Sequence, residues 1–397
     1  MSKANAVEKM AQQAYVQVFS QMLPRLDLTT SNQKITNHSS QQSLESLLLD
    51  GRTKVYQATT DLSLSLNLYN GGANIADLTM AKEKIKEASY NQFMQRRIIA
   101  HKVLEELHGA RQSAYNLVLA QQQLALLEKQ HQQAMALFEL GKIAALQFRE
   151  IAFELKNAEL SVLIEGDEYQ RNLDSLVLTV GIEGKSWRPA SPTDLLTQDD
   201  YQQALKLHQL NTKETTPSMK IANSKVRQAQ SEVRLARSTY LPEVNLFSSV
   251  NYSANTESNF GNTFNDQSKE KSFIGLSISW NLFDGFYTTA GLRKAQQSVL
   301  LAKAERDIGQ LNEATQAINL QSNLHHSQQN FFISQQRLEL IQLQMAVSKE
   351  KLALRRTDSL SHDKISHDLS KQMLIIDQLQ DRINYYRAQL TFYPPSR

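Results

Sequence analysis

"LSLSLNLYNGG" (Leu62–Gly72) and "LSISWNLFDGF" (Leu276–Phe286) are nearly the same phrase written 214 residues apart. Leu62, Ser63, Ser65, Asn67, Leu68 and Gly71 recur as Leu276, Ser277, Ser279, Asn281, Leu282 and Gly285. Past the glycines, Ala76, Leu78 and Ala81 recur as Ala290, Leu292 and Ala295. A match held at one offset marks an internal duplication, and a duplication governs how the rest of the chain is read. Within each phrase every second residue is apolar. Leu62, Leu64, Leu66 and Leu68 alternate with Ser63, Ser65 and Asn67; Ile274, Leu276, Ile278, Trp280 and Leu282 alternate with Gly275, Ser277, Ser279 and Asn281. Period two is the signature of a strand with one apolar face.

Working outward, each phrase is preceded by a helix that stops at Leu-Pro: "FSQMLPRLDL" (Phe19–Leu28) and "RSTYLPEVNL" (Arg237–Leu246). Alternation follows each proline, in Leu26, Leu28 and Thr30 and in Val244, Leu246, Val250 and Tyr252. Polar stretches come next, at Thr30–Ser43 and Asn255–Lys271. Each half therefore predicts a strand, a polar loop and a second strand. Gly71 and Gly285 are the residues expected to make the strand-to-helix turn. Beyond them the period changes. Val103, Leu107, Ala110, Ala114 and Leu117 form a heptad seam, as do Leu301, Ala304, Ile308, Leu311, Thr315 and Ile318.

Only 7 prolines punctuate the chain, and none falls between Arg25 and Arg188 or between Glu243 and Tyr393. Helices unbroken by proline are expected from about Ala73 to Leu140 and onward to Val180, with a break at Gly141-Lys142. In the second half they run to about Arg355 and return to Leu390, with the break in "RRTDSLSHD" (Arg355–Asp363). "GIEGKSWRPASPTD" (Gly181–Asp194) reads as loop, followed by a short helix near Tyr201–Leu210. The domain expectation is a first repeat at 1–217 and a second at 218–397. Superposing the two Leu-Pro pairs puts Met1 on Met219, so the first half lacks a partner for the Tyr201–Leu210 helix. A segment of that size, plus any signal, is expected to be missing before Met1.

Net charge is +3 and the pI is about 8.8, with basic and acidic residues interspersed, which argues against nucleic acid. There is no cysteine, hence no disulfide or thiolate metal site. No apolar run approaches the length of a membrane-spanning helix, and "MSKANAVEKMAQQAY" has no signal-peptide core. The pairs His101 and His108, His325 and His326, and His362 and His367 lack metal-ligand spacing and read as surface histidines, with a pH effect conceivable at His362 and His367. Gly109 and Gly309 sit inside the long helices and mark either close helix contact or tolerated surface glycines. No phosphate loop, catalytic triad or carboxylate pair has a supporting context, so no enzyme activity and no cofactor are expected.

Four strands leave two edges, and small closed barrels need about eight strands. The alternation suits either a soluble sandwich edge or a membrane barrel with a wet lumen. Tyr69, Tyr240, Trp280, Phe283 and Tyr287 lie where an aromatic girdle would sit. The whole order, written twice, resembles the TolC-like outer-membrane efflux protein family, and "YLPEVNLFSSV" and "ISWNLFDGFYTTAGLRKAQQSVLLA" are close to its usual wording. The resemblance implies an α+β fold of long helical hairpins with four strands per chain. Three copies would form a twelve-stranded barrel in outer-membrane lipid, continued by an α-helical tunnel through the periplasm. It further implies a homotrimer whose partners are a periplasmic adaptor and an inner-membrane transporter, in a tripartite pump or type I secretion system. The periplasmic tip would lie at Gly141 and Thr357, and Asp363 with Asp368 would line the aperture. The departures are that Gln147 stands where an aspartate is usual, Thr357 where a glycine is usual, Ser359 where an arginine often lies and Ser366 where a second aspartate often sits. Asp363 also fits a solvated acid at a helix start. The alternatives are a soluble coiled-coil scaffold, a periplasmic adaptor with a helical hairpin, or a truncated, non-functional channel.

Overall fold

The computed structural model describes residues 2–38, 52–181, 189, 191–196, 216–256, 269–354 and 359–393. Their elements run α1 (Ser2–Ser20), β1 (Arg25–His38), β2 (Arg52–Asn70), α2 (Ala73–Glu139), α3 (Ala145–Val180) and α4 (Pro192–Leu196). The second half supplies α5 (Pro217–Ser238), β3 (Glu243–Thr256), β4 (Lys269–Ser279), α6 (Tyr287–Ala353) and α7 (Ser359–Leu390). The expected helix at Tyr201–Leu210 lies outside the described residues. Helices α2 and α6 each have 67 residues, or about 100 Å at about 1.5 Å per residue. The chain packs as two compact units, Met1–Gln92 with Ser218–Asp307 and Phe93–Pro217 with Ile308–Arg397. Each unit draws on both sequence repeats.

In the first unit the strands form one antiparallel sheet in the order β1-β2-β3-β4. The two hairpins have one register. Arg25 faces Ser65 in the first, and Glu243 and Ser279, which lie 218 and 214 residues further on, face each other in the second. The duplication seen in the sequence is thus a duplication of hydrogen-bonding geometry. The strands are longer than the alternation predicts, at 14, 19, 14 and 11 residues. Residues 30–38 of the first supposed polar loop continue the ladder, as do 255–256 and 269–271 at the two ends of the second. Polar side chains pair across it: Gln33 Nε2 donates to Gln57 Oε1 at 2.8 Å, and the Thr30 and Thr60 hydroxyls meet at 3.5 Å. A ladder needs backbone partners and not apolar side chains, so hydropathy loses it where both faces turn polar.

Registration puts Leu26, Leu64 and Ile274 on one face with Leu66, Leu246, Leu276 and Ile278. The opposite face carries Ser63, Ser249, Asp61 and Asn251; the Ser249 hydroxyl donates to Asp61 Oδ2 at 2.6 Å. A bulge between Asn67 and Tyr69 shifts the register of β2 before its last two pairs, Tyr69 with Val244 and Asn70 with Glu243.

The turns into the long helices also repeat. Asn74 N–H donates to Asn70 Oδ1 at 3.2 Å, and Thr288 N–H donates to Asp284 Oδ2 at 2.8 Å. Both are side-chain caps on free helix N-termini. Gly71 and Gly285 hold φ of 66° and 65°, a conformation that favours glycine. Helix α5 packs on the start of α2, with Arg227 Nε 2.7 Å from Glu83 Oε2 and Gln228 Nε2 donating to Glu87 at 2.6 Å.

The second unit holds the main apolar core. Leu104, Leu107, Ala110, Ala114 and Leu117 of α2 pack with Tyr169, Leu173 and Leu176 of α3, Leu195 of α4, and Tyr385 and Ala388 of α7. The first predicted seam is therefore buried, Ala110 and Ala114 completely. The predicted seam of α6 is not. Leu301, Ile308, Leu311 and Ile318 are 57–67% exposed.

Candidate functional site

The tip of the first helical hairpin is built by a glycine stop. Lys142 N–H donates to Leu137 O at 2.8 Å and Gly141 N–H to Phe138 O at 2.9 Å, while Gly141 takes φ 69°. This is a Schellman ending, which uses carbonyls that the helix leaves over. The two arms are then clasped by Phe138 and Phe148, stacked at 5.1 Å and 7°, with His131 against Phe148 at 5.3 Å. Among the described residues, no atom beyond its chain neighbours lies within 4 Å of where a Gly141 side chain would begin.

In the second hairpin α6 ends at Ala353 and α7 begins at Ser359; Thr357 lies outside the described residues. Asp363 is in the second turn of α7, its side chain 28% exposed and 4.0 Å from Lys129 Nζ of α2. Asp368 is exposed. Five residues apart on one helix, the two carboxylates diverge by about 140°, so a single chain does not pair them. His362 Nδ1 sits 3.2 Å from the Ser348 hydroxyl of α6. Burial pushes the His367 imidazole below its ordinary pKa; Asp368 opposes this and Lys371 reinforces it. Between α6 and α7 a cleft of about 420 Å³ is lined by Leu340, Leu343, Val347, Lys351, Ser361 and Ile365.

A buried polar cluster in the second unit is a feature that sequence reasoning missed. Asp381 of α7 is paired with Arg111 Nε at 2.8 Å and with His108 Nδ1 at 3.2 Å, both on α2. Their side chains are 2%, 7% and 15% exposed. The His108 ring stacks on Tyr385 at 4.0 Å and 6°. His108 is consequently no surface histidine. Arg111 Nη2 also donates to Leu196 O at 3.1 Å, tying α4 to the same point. Burial, with the Asp381 charge adding, pushes the Tyr115 hydroxyl up to about 12. The arrangement pins three helices together. The only hint in the sequence was a histidine and an arginine three apart on the apolar side of α2. Among the described residues nothing lies within 4 Å of where a side chain would begin at Gly109 or Gly309, so neither marks a close helix crossing there.

In the first unit the apolar face of the sheet lies open. Leu26, Leu28, Leu62, Val250, Ile274, Leu276 and Ile278 are 40–75% exposed. Tyr69, Tyr240, Trp280, Phe283 and Tyr287 at the strand ends are 42–80% exposed. A contiguous bare face of this kind is foreign to a water-facing sheet. Trp280 still anchors to the backbone, its Nε1–H donating to Tyr240 O at 3.0 Å. On the other face Phe247 lies over Gly275, where a Cβ would stand 2.9 Å from the ring tip.

A sheet bare on one face and two very long helical hairpins are the elements of a channel-type outer-membrane fold. The chain belongs to the outer membrane efflux protein family, which it matches over residues 1–181 and 211–354. That family is one of transport channels and not of enzymes. No curated protein matches the chain. Among solved structures it is similar to CusC (13% identity, 99% of this chain and 88% of that one, TM-score 0.77). It is also similar to VceC of Vibrio cholerae (14%, 98% and 91%, 0.73) and to the CmeC outer-membrane channel of Campylobacter jejuni (13%, 100% and 84%, 0.69).

Proposed function

We propose that the chain is the outer-membrane export channel of a tripartite efflux pump or type I secretion system, working as a passive homotrimeric tunnel. The observation that carries this reading is the four-stranded sheet with an exposed leucine-isoleucine face and two free edges. In lipid such a sheet is stable only when closed with other copies. The polar face, with Asp61, Ser63, Ser249 and Asn251, would then line a wet lumen. Trp280, Phe283, Tyr287, Tyr240 and Tyr69 would sit at the membrane–water boundary. The two sequence repeats, 1–217 and 218–397, would alternate around the tunnel. The exposed α6 stripe from Leu301 to Ile318 would pack on a neighbouring copy.

The helical tips at Gly141 and Thr357 would meet a periplasmic adaptor and an inner-membrane transporter, which supplies the energy. Asp363 and Asp368 would face the narrowing. Three copies of Asp363 place like charges around one passage, which favours cations and resists closure unless cations or lysines screen them. The test is reconstitution. Protein extracted in detergent should have the mass of three chains and give cation-selective conductance in planar bilayers. Release from membranes by carbonate alone, as a monomer, would overturn the reading in favour of a soluble scaffold.

A further inference from the structure

We propose that Phe247 and Phe273 form a binding site on the polar face of the sheet for a flat, ring-bearing organic cation, with Asp61 meeting its charge. The inference rests on that face lining the passage, and it adds the chemical class of what the passage holds. Over Asp27–Gln33 of β1, Gln57–Asn67 of β2, Asn245–Ser253 of β3 and Lys269–Ser279 of β4, every residue on this face is polar or glycine except these two. They are neighbours. Ser249 stands opposite both Ser63 and Phe273, and Phe247 stands opposite Ser65 and Gly275, so the rings occupy adjacent rows of adjacent strands. Their centroids are 5.9 Å apart at 69°, an edge-to-face pair.

Gly275 is what lets them meet. A Cβ there would stand 2.9 Å from Phe247 Cζ and 3.4 Å from both Cε atoms, so a larger residue would lift the ring off the wall. The Phe247 ring is thereby laid over β4 as a floor, with Phe273 as a wall beside it. Phe247 remains 36% exposed and Phe273 51%. Covering a glycine on an edge strand is a recognised use of an aromatic; it accounts for Phe247 and leaves Phe273 unexplained. A corner of two phenyl faces open to water receives a flat ring by stacking on one and meeting the edge of the other.

Asp61 supplies the charge. The Ser249 hydroxyl, in the row of Phe273, donates to Asp61 Oδ2 at 2.6 Å, and Asn251 Nδ2 donates to the same oxygen at 3.5 Å. These donors turn the carboxylate of β2 towards β3 and the ring pair, and a carboxylate has a second oxygen with which to accept an ammonium. The other charges of the face are placed differently. Arg25 is closed on Asp27, Nε to Oδ2 at 2.8 Å. Lys269 and Lys271 are exposed on the edge strand, where a long stem keeps the ammonium in water. A cation held by Asp61 is also attracted by the ring faces, and an anion is not.

The test uses the full chain in planar bilayers, with proflavine as the flat cation and naphthalene sulfonate as the flat anion. Block is read as the fraction of each variant's own current that is lost. Proflavine should block reversibly, and naphthalene sulfonate about tenfold less effectively. Phe273→Ser, and Phe247→Leu, which keeps a cover on Gly275, should each raise the half-blocking proflavine concentration about tenfold, whereas Phe273→Tyr, which keeps the ring, should retain the block. Asp61→Asn should raise that concentration severalfold. Ser31→Ala, elsewhere on the same face, should change neither conductance nor block. Channels that proflavine does not block, a block indifferent to the Phe273, Phe247 and Asp61 variants or lost in Asp363→Asn instead, or an equal block by naphthalene sulfonate overturns this site and leaves the channel standing. A chain that forms no channels overturns both.

Discussion

Replacing Asp381 by Asn should be among the most damaging changes of a single charge in the helical unit. The carboxylate is 2% exposed, with Arg111 at 2.8 Å and His108 at 3.2 Å. The amide keeps the shape but leaves the Arg111 guanidinium, 7% exposed, without its counter-charge. Removing one partner of such a pair costs about 3–5 kcal/mol, because the other charge stays buried. At about 1.4 kcal/mol per tenfold, the folded-to-unfolded ratio falls roughly 140- to 3,700-fold. Guanidinium denaturation of the detergent-solubilised protein, followed by circular dichroism at the helical band, measures this as a lowered midpoint with little change in slope. The companion variant is Arg111→Met/Asp381→Leu. Replacing both charges with apolar groups should recover most of the loss, since such replacements are commonly neutral or better. A cost below about 1 kcal/mol for Asp381→Asn, or a double variant as unstable as the single one, would refute the claim that the buried charge pair governs this site.

Leu173→Ala, at a side chain 2% exposed in the core, should cost about 2–5 kcal/mol in the same assay. Gly71→Ala combines left-handed strain of about 1–2 kcal/mol with overpacking of about 1–3 kcal/mol against Ser238 O. Gly72→Ala, also at positive φ but in open space, should carry the strain alone, and the difference between their midpoints checks the contact. Burial lowers the pKa of His367, so the unfolded chain takes up that proton more readily. The contribution to stability is full above the ordinary histidine value of about 6.5 and is lost as the pH falls through it towards the folded value. His367→Gln should flatten the fall of the denaturation midpoint between pH 7 and 5, roughly that titration range. Asp363→Asn should reduce the cation-to-anion permeability ratio of reconstituted channels severalfold; an unchanged ratio would mean that Asp363 does not face the passage.

The duplication, the order of elements and the helix breaks at Gly141 and before Ser359 were legible because each is a local matter. Alternation at period two, seams at period seven, Leu-Pro stops and Asn-Gly or Asp-Gly turns are written within a few residues of where they act. The offsets of 218 and 214 even carried the hairpin registers, since a register follows from which residues share a face. The long polar ends of the strands were not legible, because a backbone ladder leaves no hydropathy signal. Asp363 and Asp368 were named from the family resemblance, which could not tell that one leans on Lys129 while the other stays exposed.

By itself the sequence determined a twice-written strand pair followed by a long helical hairpin, because periodicity and turn chemistry are encoded locally. Only the tertiary structure decided that His108, Arg111 and Asp381 meet, 273 residues apart along the chain at the widest. It alone decided, too, that the Gly71 turn is filled while, among the described residues, nothing fills the Gly285 turn. Both depend on which helix face meets which neighbour, and that is settled by packing among distant segments rather than by the preferences of any one of them.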